Sequence, residues 1–121
     1  LLTTEASLHD LNDRIVARGG EPVPMDRFRS NIVLADCAPW AEDALGRFRL
    51  GDVEFRNGWP CGRCIVTTTD QQTAARGKEP LATLATFRRD AEDPTDVNFG
   101  INLVHETKTG MVRVGDALLP L

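Results

Sequence analysis

Residues 47–56 read RFRLGDVEFR, and this stretch decides the fold class. Polar and apolar residues alternate on both sides of the central Gly51-Asp52 pair, which is typical of strands with one buried face. A Gly-Asp pair between two such runs favours a tight turn. The stretch therefore predicts a β-hairpin, with one strand over 47–50 and its partner over 53–56.

More strands are predicted on both sides of this hairpin. Upstream, Ile32–Leu34 is a short apolar run. Downstream, Ile65–Thr69 is β-branched throughout, which favours a strand. The last two strands are expected over Asn98–His105 and Met111–Leu118, and Asn57-Gly58 is expected to form a turn.

Two short helices are predicted at some distance from the hairpin. The first covers Thr4 to Ala17, with Thr4 as its N-cap and a Gly-Gly pair after its end. The second opens at Glu79-Pro80, with proline at the first helical position. The sequence therefore predicts one mostly β domain over residues 1–121, a barrel with two short helices on its rim.

Composition limits the class of function. The chain has 121 residues with a net charge of −4, which argues against nucleic-acid binding driven by phosphate contacts. It contains no apolar run long enough to span a membrane and no signal peptide, so we expect a cytoplasmic protein without a membrane partner. Three cysteines are too few for a disulfide framework and favour a reducing compartment.

The segment PCGRC at residues 60–64 is the candidate for chemistry. Four interpretations compete: buried structural cysteines, a zinc site, a redox dithiol, and a single reactive or metal-bound thiolate at Cys64. A zinc site requires four ligands, for which only Cys37 and His105 are available besides the pair. A redox dithiol requires a helix N-terminus, whereas this pair is expected to precede a strand. Arg63 beside Cys64 favours the thiolate.

Several segments resemble the MOSC domain, the molybdenum-cofactor sulfurase C-terminal domain, and within it the amidoxime-reducing components and their bacterial relatives. The order of the segments carries the resemblance, which runs over most of the chain. The matching segments are Pro24–Val33 (with Ser30 where the family usually has proline), Trp40–Asp43, Leu50–Val53, Cys61–Asp70, Glu79–Leu84, Asn98–Gly100 and Val114–Asp116.

The resemblance implies a MOSC-type β-barrel that binds a molybdenum cofactor of the molybdopterin type. It assigns Cys64 as the molybdenum ligand and the catalytic residue, and Cys61 as a neighbour that is not a ligand. Arg29 and Asn31 match positions that contact the pterin and phosphate end of the cofactor. Gly62 and Arg63 lie in the loop that cradles it. Without the resemblance, Arg29 is expected to pair with Asp26 or Asp36 on the surface.

The resemblance also implies a function and partners. We expect part of an oxidoreductase that reduces small N-hydroxylated substrates and receives electrons from a flavoprotein reductase or a [2Fe–2S] protein. The family unit has an upstream β-barrel part that contributes to the same site, so this chain is expected to be the C-terminal portion and inactive alone. Pyridoxal phosphate binding and a bacterial origin are further expectations. The alternatives are a sulfur carrier with a persulfide on Cys64 and a non-catalytic structural barrel.

Overall fold

The computed structural model describes residues 1–121 and contains two α-helices, six strands and three short 3-10 helices. The strands are β1 (Leu2–Thr4), β2 (Ile32–Leu34), β3 (Arg47–Leu50), β4 (Val53–Gly62), β5 (Asn98–His105) and β6 (Leu118–Pro120). The α-helices are α1 (Glu5–Ala17) and α2 (Leu81–Phe87), and the 3-10 helices cover Met25–Phe28, Ala41–Ala44 and Ile65–Thr68.

All six strands belong to one curled sheet with the order β2-β1-β5-β4-β3-β6. The β1–β2 pair is parallel and every other pair is antiparallel. The sheet forms a half-barrel with β2 and β6 as its edges, so the predicted mostly β class with two short helices is confirmed. The predicted hairpin is confirmed as well, with Phe48 opposite Phe55 and Leu50 opposite Val53.

The turn predicted at Asn57-Gly58 is wrong, because β4 continues through it to Gly62. The irregularity there is a register shift against β5 between Asn57 and Trp59. A Cβ atom on Gly58 would lie 2.8 Å from the carbonyl oxygen of Asn102, so glycine allows β5 to approach closely. The Asn-Gly pair therefore marks a bulge within a long strand rather than its end.

The strand predicted over Ile65–Thr69 is also wrong, since residues 65–68 form a 3-10 helix. The hydroxyl of Thr67 donates to the carbonyl oxygen of Cys64 at 2.8 Å, and that of Thr68 donates to Ile65 at 2.6 Å. Such local side-chain bonds offer the backbone an alternative to a sheet ladder. In this segment they prevail over the β propensity of the branched residues.

Strand predictions near the two chain ends need correction too. Most of Met111–Leu118 is irregular, and β6 begins only at Leu118. The Asp116 carboxylate accepts the N–H of Arg113 at 2.7 Å, which closes a local turn where a strand was expected. At the other end, β1 was not predicted, because three residues are too few to show an alternating pattern.

The observed helices agree with the predicted ones better than the observed strands do. The Thr4 side chain accepts the N–H of Ser7 at 3.0 Å, so Thr4 is the N-cap of α1 as predicted. The second helix begins at Leu81, one residue later than expected, with Pro80 at the N-cap. Neither helix is long and apolar enough to cross a membrane.

The apolar interior is divided into two clusters, and Gly100 separates them. Phe99 packs in the helix-side cluster with Leu11, whereas Ile101 packs in the sheet-side cluster with Phe48. Residues two apart on a regular strand share one face. Gly100 has φ +86° and breaks this alternation, so consecutive odd positions of β5 serve different clusters.

Candidate functional site

The cysteine pair lies at the end of β4. Gly62 is the last paired residue of this strand, opposite Asn98, and the N–H of Arg63 donates to the carbonyl oxygen of Val97 at 2.8 Å. Cys61 is therefore a strand residue, and Cys64 is the N-cap of the next 3-10 helix. The pair follows a strand, which corrects the expectation that it precedes one.

Cys64 combines a fixed backbone with a free thiol. Its carbonyl oxygen accepts both the N–H and the hydroxyl of Thr67, at 3.1 and 2.8 Å. Its side chain is exposed and makes no hydrogen bond. The next two residues, Ile65 and Val66, are 66% and 56% exposed. The geometry presents a single thiol on an apolar rim, which suits a soft metal ligand or a nucleophile.

The Arg63 guanidinium bonds to groups other than Cys64. Its Nη1 donates to Cys61 Sγ at 3.0 Å, and its Nη2 donates to the carbonyl oxygen of Phe28 at 2.8 Å. The same group lies 5.4 Å from the centre of the Phe28 ring. The guanidinium is therefore bonded to the other cysteine, and the stabilisation of a Cys64 thiolate by Arg63 stays a prediction.

The guanidinium of Arg29, unlike that of Arg63, is exposed and has no partner. It forms neither of the ion pairs expected on the surface, with Asp26 or with Asp36. Its backbone is in the left-handed region with φ +55°, which is unfavourable for a residue with a side chain. Arg29 lines a hollow of about 360 Å³ together with Gln71 from the loop that follows the Cys64 segment.

Asn31 lies nearby but in a different hollow. Its Oδ1 accepts a hydrogen bond from the Leu1 nitrogen at 2.7 Å, and its own N–H donates to the Leu1 carbonyl oxygen at 3.0 Å. It lines a cavity of about 220 Å³ between β2 and residues 112–116. Val33 lines both hollows, so Arg29 and Asn31 occupy adjoining surfaces and do not share one pocket.

Gly62 is exposed at the end of β4. A Cβ atom there would lie 3.5 Å from the Asp96 carboxylate, an ordinary contact distance. The Cα of Gly62 therefore has room for a methyl group, and its place in a cofactor cradle stays a prediction.

Sequence reasoning missed two residues that organise the site, Arg27 and Asp70. The Arg27 Nη1 donates to the carbonyl oxygen of Thr67 at 3.1 Å, and its Nη2 lies 3.8 Å from the Asp70 carboxylate. The pKa of Asp70 is lowered because the backbone N–H groups of Gln72 and Thr73 donate to it, with a further contribution from Arg27. No local sequence pattern predicts these contacts, because they join segments about 40 residues apart.

Cys37 and His105 do not join the cysteine pair. Cys37 is partly buried beside Thr4 and Glu42, and burial raises the pKa of its thiol. His105 lies at the far end of β5, opposite Phe55. No group of three or more His, Cys, Asp or Glu side chains is placed to hold a metal ion, so the four-ligand zinc interpretation finds no site here.

The family model for the MOSC domain matches residues 1–119. The chain belongs to the MOSC domain family. This MOSC domain is 39% identical to mitochondrial amidoxime-reducing component 1 of Danio rerio over 119 residues and to that of Homo sapiens over 124 residues. It is 40% identical to mitochondrial amidoxime reducing component 2 of Macaca fascicularis over 124 residues.

These alignments cover 96% of this MOSC domain and 35% of each of those three relatives. The chain therefore spans about a third of the length of the curated relatives it matches. Their names place them in mitochondria, so the expected cytoplasmic location stays a prediction. Pyridoxal phosphate binding, sulfur carriage and a bacterial origin find no support in these comparisons.

The residues of this MOSC domain fit a pterin-type molybdenum cofactor in two respects. The exposed Cys64 thiol is free to become a thiolate ligand, and thiolates are soft ligands. The exposed Arg29 guanidinium is free to bind a phosphate through two parallel hydrogen bonds. The site residues named from the sequence therefore differ in availability: Cys64 and Arg29 have no partners, whereas the side chains of Arg63 and Asn31 are already bound within the chain.

Proposed function

We propose that this MOSC domain binds a molybdenum–pterin cofactor as part of an oxidoreductase, with the Cys64 thiolate as a ligand of the metal. One observation carries the proposal: the Cys64 thiol is exposed and unpartnered while its backbone is fixed by Thr67. A ligand held in this way needs little rearrangement to bind metal, so little of the binding free energy is spent on ordering the loop.

Arg29 and Asn31 act on the organic part of the cofactor. The free Arg29 guanidinium would bind the phosphate, and Asn31 would contribute an amide next to it. When bound, the cofactor supplies the redox chemistry that no side chain of this chain provides. The exposed Ile65 and Val66 flank the metal side of the site and would exclude water from a small substrate.

The finer proposal is the reduction of N-hydroxylated compounds, which the names of the relatives suggest. Such a reaction cleaves the N–O bond with two electrons and two protons, leaves an N–H group and releases water. The electrons would come from a flavoprotein reductase or a [2Fe–2S] protein. The substrate class and this donor are both proposals about the complete protein.

We also propose that a preceding segment of a longer chain completes the site. The relatives are almost three times as long as the region they share with this chain. The Leu1 nitrogen lies 2.7 Å from Asn31 Oδ1, so any residue joined to Leu1 would lie next to a proposed cofactor contact. This placement supports a site shared between the two parts.

The ligand assignment is tested by comparing Cys64→Ser with Cys61→Ser in the complete protein. Molybdenum is measured by mass spectrometry of the metal, and pterin by the fluorescence of its oxidised form. We expect Cys64→Ser to lower the affinity for molybdenum more than about tenfold, which corresponds to about 1.4 kcal/mol. Cys61→Ser is expected to retain the metal.

Equal molybdenum in both variants would contradict the assignment of Cys64. Wild-type protein without molybdenum that carries one extra sulfur atom on Cys64 would instead support the sulfur carrier. Wild-type protein with neither metal nor sulfur adduct, and with Cys64 open to alkylation without effect, would support a non-catalytic barrel.

A further inference from the structure

Two arginines connect the Cys64 segment to the segment that carries Arg29. Arg27, in the 3-10 helix Met25–Phe28, donates to the carbonyl oxygen of Thr67 at 3.1 Å. Arg63, on the cysteine side, donates to the carbonyl oxygen of Phe28 at 2.8 Å. Each segment thus gives one guanidinium and accepts the other through a backbone carbonyl. We call Arg27 and Arg63 the arginine clamp.

The arginine clamp is partly dehydrated. The Arg27 side chain is 12% exposed, and the Nε atoms of Arg27 and Arg63 are buried without a hydrogen-bond partner. Charge-assisted hydrogen bonds are stronger than neutral ones, and low solvent access strengthens them further. The two contacts are therefore firmer than ordinary surface contacts between loops.

The Cys64 segment needs such support. Its 3-10 helix has only four residues, and two of them, Ile65 and Val66, face solvent. Short 3-10 helices have poor hydrogen-bond geometry and little stability of their own. Thr67 receives Arg27 on its carbonyl oxygen and bonds to Cys64 through its N–H and hydroxyl. The clamp therefore holds Cys64 from both sides, through Thr67 and through the peptide bond to Arg63.

We propose that the arginine clamp is a positioning device that sets the spacing between the backbone segments that carry the Cys64 thiol and the Arg29 side chain. This inference rests on the proposed function. Arg27 and Phe28 immediately precede Arg29 in the chain, and Thr67 directly holds the Cys64 backbone. A ligand bound by both Cys64 and Arg29 would thus meet two segments whose backbones are held at a fixed separation before it arrives. Arg63 acts here through Phe28 and does not itself contact the ligand.

The test uses Arg27→Gln, Arg63→Gln and the double variant in the complete protein. Arg89→Gln is the matched control, because Arg89 also donates to a backbone carbonyl, that of Pro94 at 2.7 Å. Each clamp variant is expected to release molybdenum about 10–100-fold faster, the usual effect of removing a group that orients a metal ligand. The effect of the double variant should differ from the product of the two single effects, because both arginines hold the same pair of segments.

Two further measurements separate positioning from a general loss of stability. The electron paramagnetic resonance spectrum of Mo(V) should shift in the clamp variants and stay unchanged in Arg89→Gln. Amide exchange of residues 65–69 in metal-free protein should increase in the clamp variants only, and Arg27→Lys should restore part of the protection.

The outcomes are distinct. Unchanged amide exchange, or increased exchange with unchanged metal release and spectrum, would overturn the positioning role while molybdenum binding stands. Wild-type protein that holds no molybdenum would overturn the proposed function, and the positioning role with it, although the amide exchange would still report whether the clamp holds the loop.

Discussion

Arg29 has two features that do not stabilise the fold, a strained backbone and an unpaired side chain. Arg29 adopts a left-handed backbone with φ +55° and leaves its guanidinium without a partner. Such strain persists only where the surroundings enforce it, and it is frequent at functional sites. The sequence showed that Arg29 was a candidate, but it did not show that the charge would be unpaired.

Gly100 is a residue whose replacement is expected to harm the fold directly. It has φ +86°, and a Cβ atom there would lie 2.8 Å from Leu1 Cδ1 and 3.0 Å from the Leu2 carbonyl oxygen. We expect Gly100→Ala to lower the free energy of unfolding by more than about 2 kcal/mol, because backbone strain and a steric clash add. Denaturant unfolding measures the change.

Gly115 provides the matched control for this prediction. It has φ +96°, but nothing lies within 4 Å of the position that a Cβ atom would take there. Gly115→Ala therefore introduces backbone strain but no steric clash, and we expect it to lower the free energy of unfolding by about 1 kcal/mol. Equal losses in the two variants would show that close approach of β1 to Gly100 contributes nothing.

At the scale of elements, two loops fold around an aspartate and support the site. Asp70 accepts the backbone N–H groups of Gln72 and Thr73 in the loop after the Cys64 segment. Asp90 accepts the side chain of Asn98 at 2.9 Å and thereby ties the acidic loop to the start of β5. Asn98 lies opposite Gly62, so this loop braces the end of the strand that delivers the cysteines.

The pH dependence of stability should report these loops. The pKa of Asp90 is lowered, chiefly by the Asn98 side chain and then by backbone N–H groups of the loop. A carboxyl whose pKa is lower in the folded state binds more protons when unfolded, so its contribution to stability is present above about pH 4 and is lost as pH falls through the folded pKa. Asp90→Asn should be less stable than wild type at pH 7, and the difference should shrink in acid.

Asp52→Asn is the control for this measurement, because the Asp52 carboxylate is exposed and makes no hydrogen bond. Its stability should follow the wild-type curve. Parallel pH curves for wild type and Asp90→Asn would contradict the role assigned to the Asp90 carboxylate.

At the scale of the whole molecule, the sheet is a half-barrel, and two of the proposed cofactor contacts, Arg29 and Asn31, lie near its β2 side. Asn31 precedes β2, and the cavity it lines separates β2 from residues 112–116. Val33 and Val114 are 43% and 108% exposed in this region. A site with such exposed walls can bury only a small part of a ligand's surface, whereas specific sites normally bury most of it.

We therefore expect the isolated 121-residue chain to hold no stoichiometric molybdenum and to show no reductase activity. The complete protein, expressed in the same host, is expected to contain the metal. Metal analysis of the two purified side by side decides the point. A full complement of molybdenum in the isolated chain would show that this domain binds the cofactor without further segments.

The sequence by itself determined the hairpin, the two helices with the Thr4 cap, and the candidate residues Cys64 and Arg29. The two candidate residues come from the resemblance, through the order of the family motifs along the chain. The hairpin and the helices follow from short-range rules: the alternation of side chains and the capping of helix ends. Such rules act within a few residues and remain visible in a linear chain.

Only the tertiary structure decided how the site is organised. It placed Arg63 against Cys61 and Phe28, replaced the Ile65–Thr69 strand with a 3-10 helix, and brought Arg27 to Thr67. The contacts of Arg63 with Phe28 and of Arg27 with Thr67 join residues 35 and 40 positions apart. Charge, propensity and spacing along the chain do not specify which distant carbonyl a guanidinium meets, because that choice is made by the packing of the whole sheet.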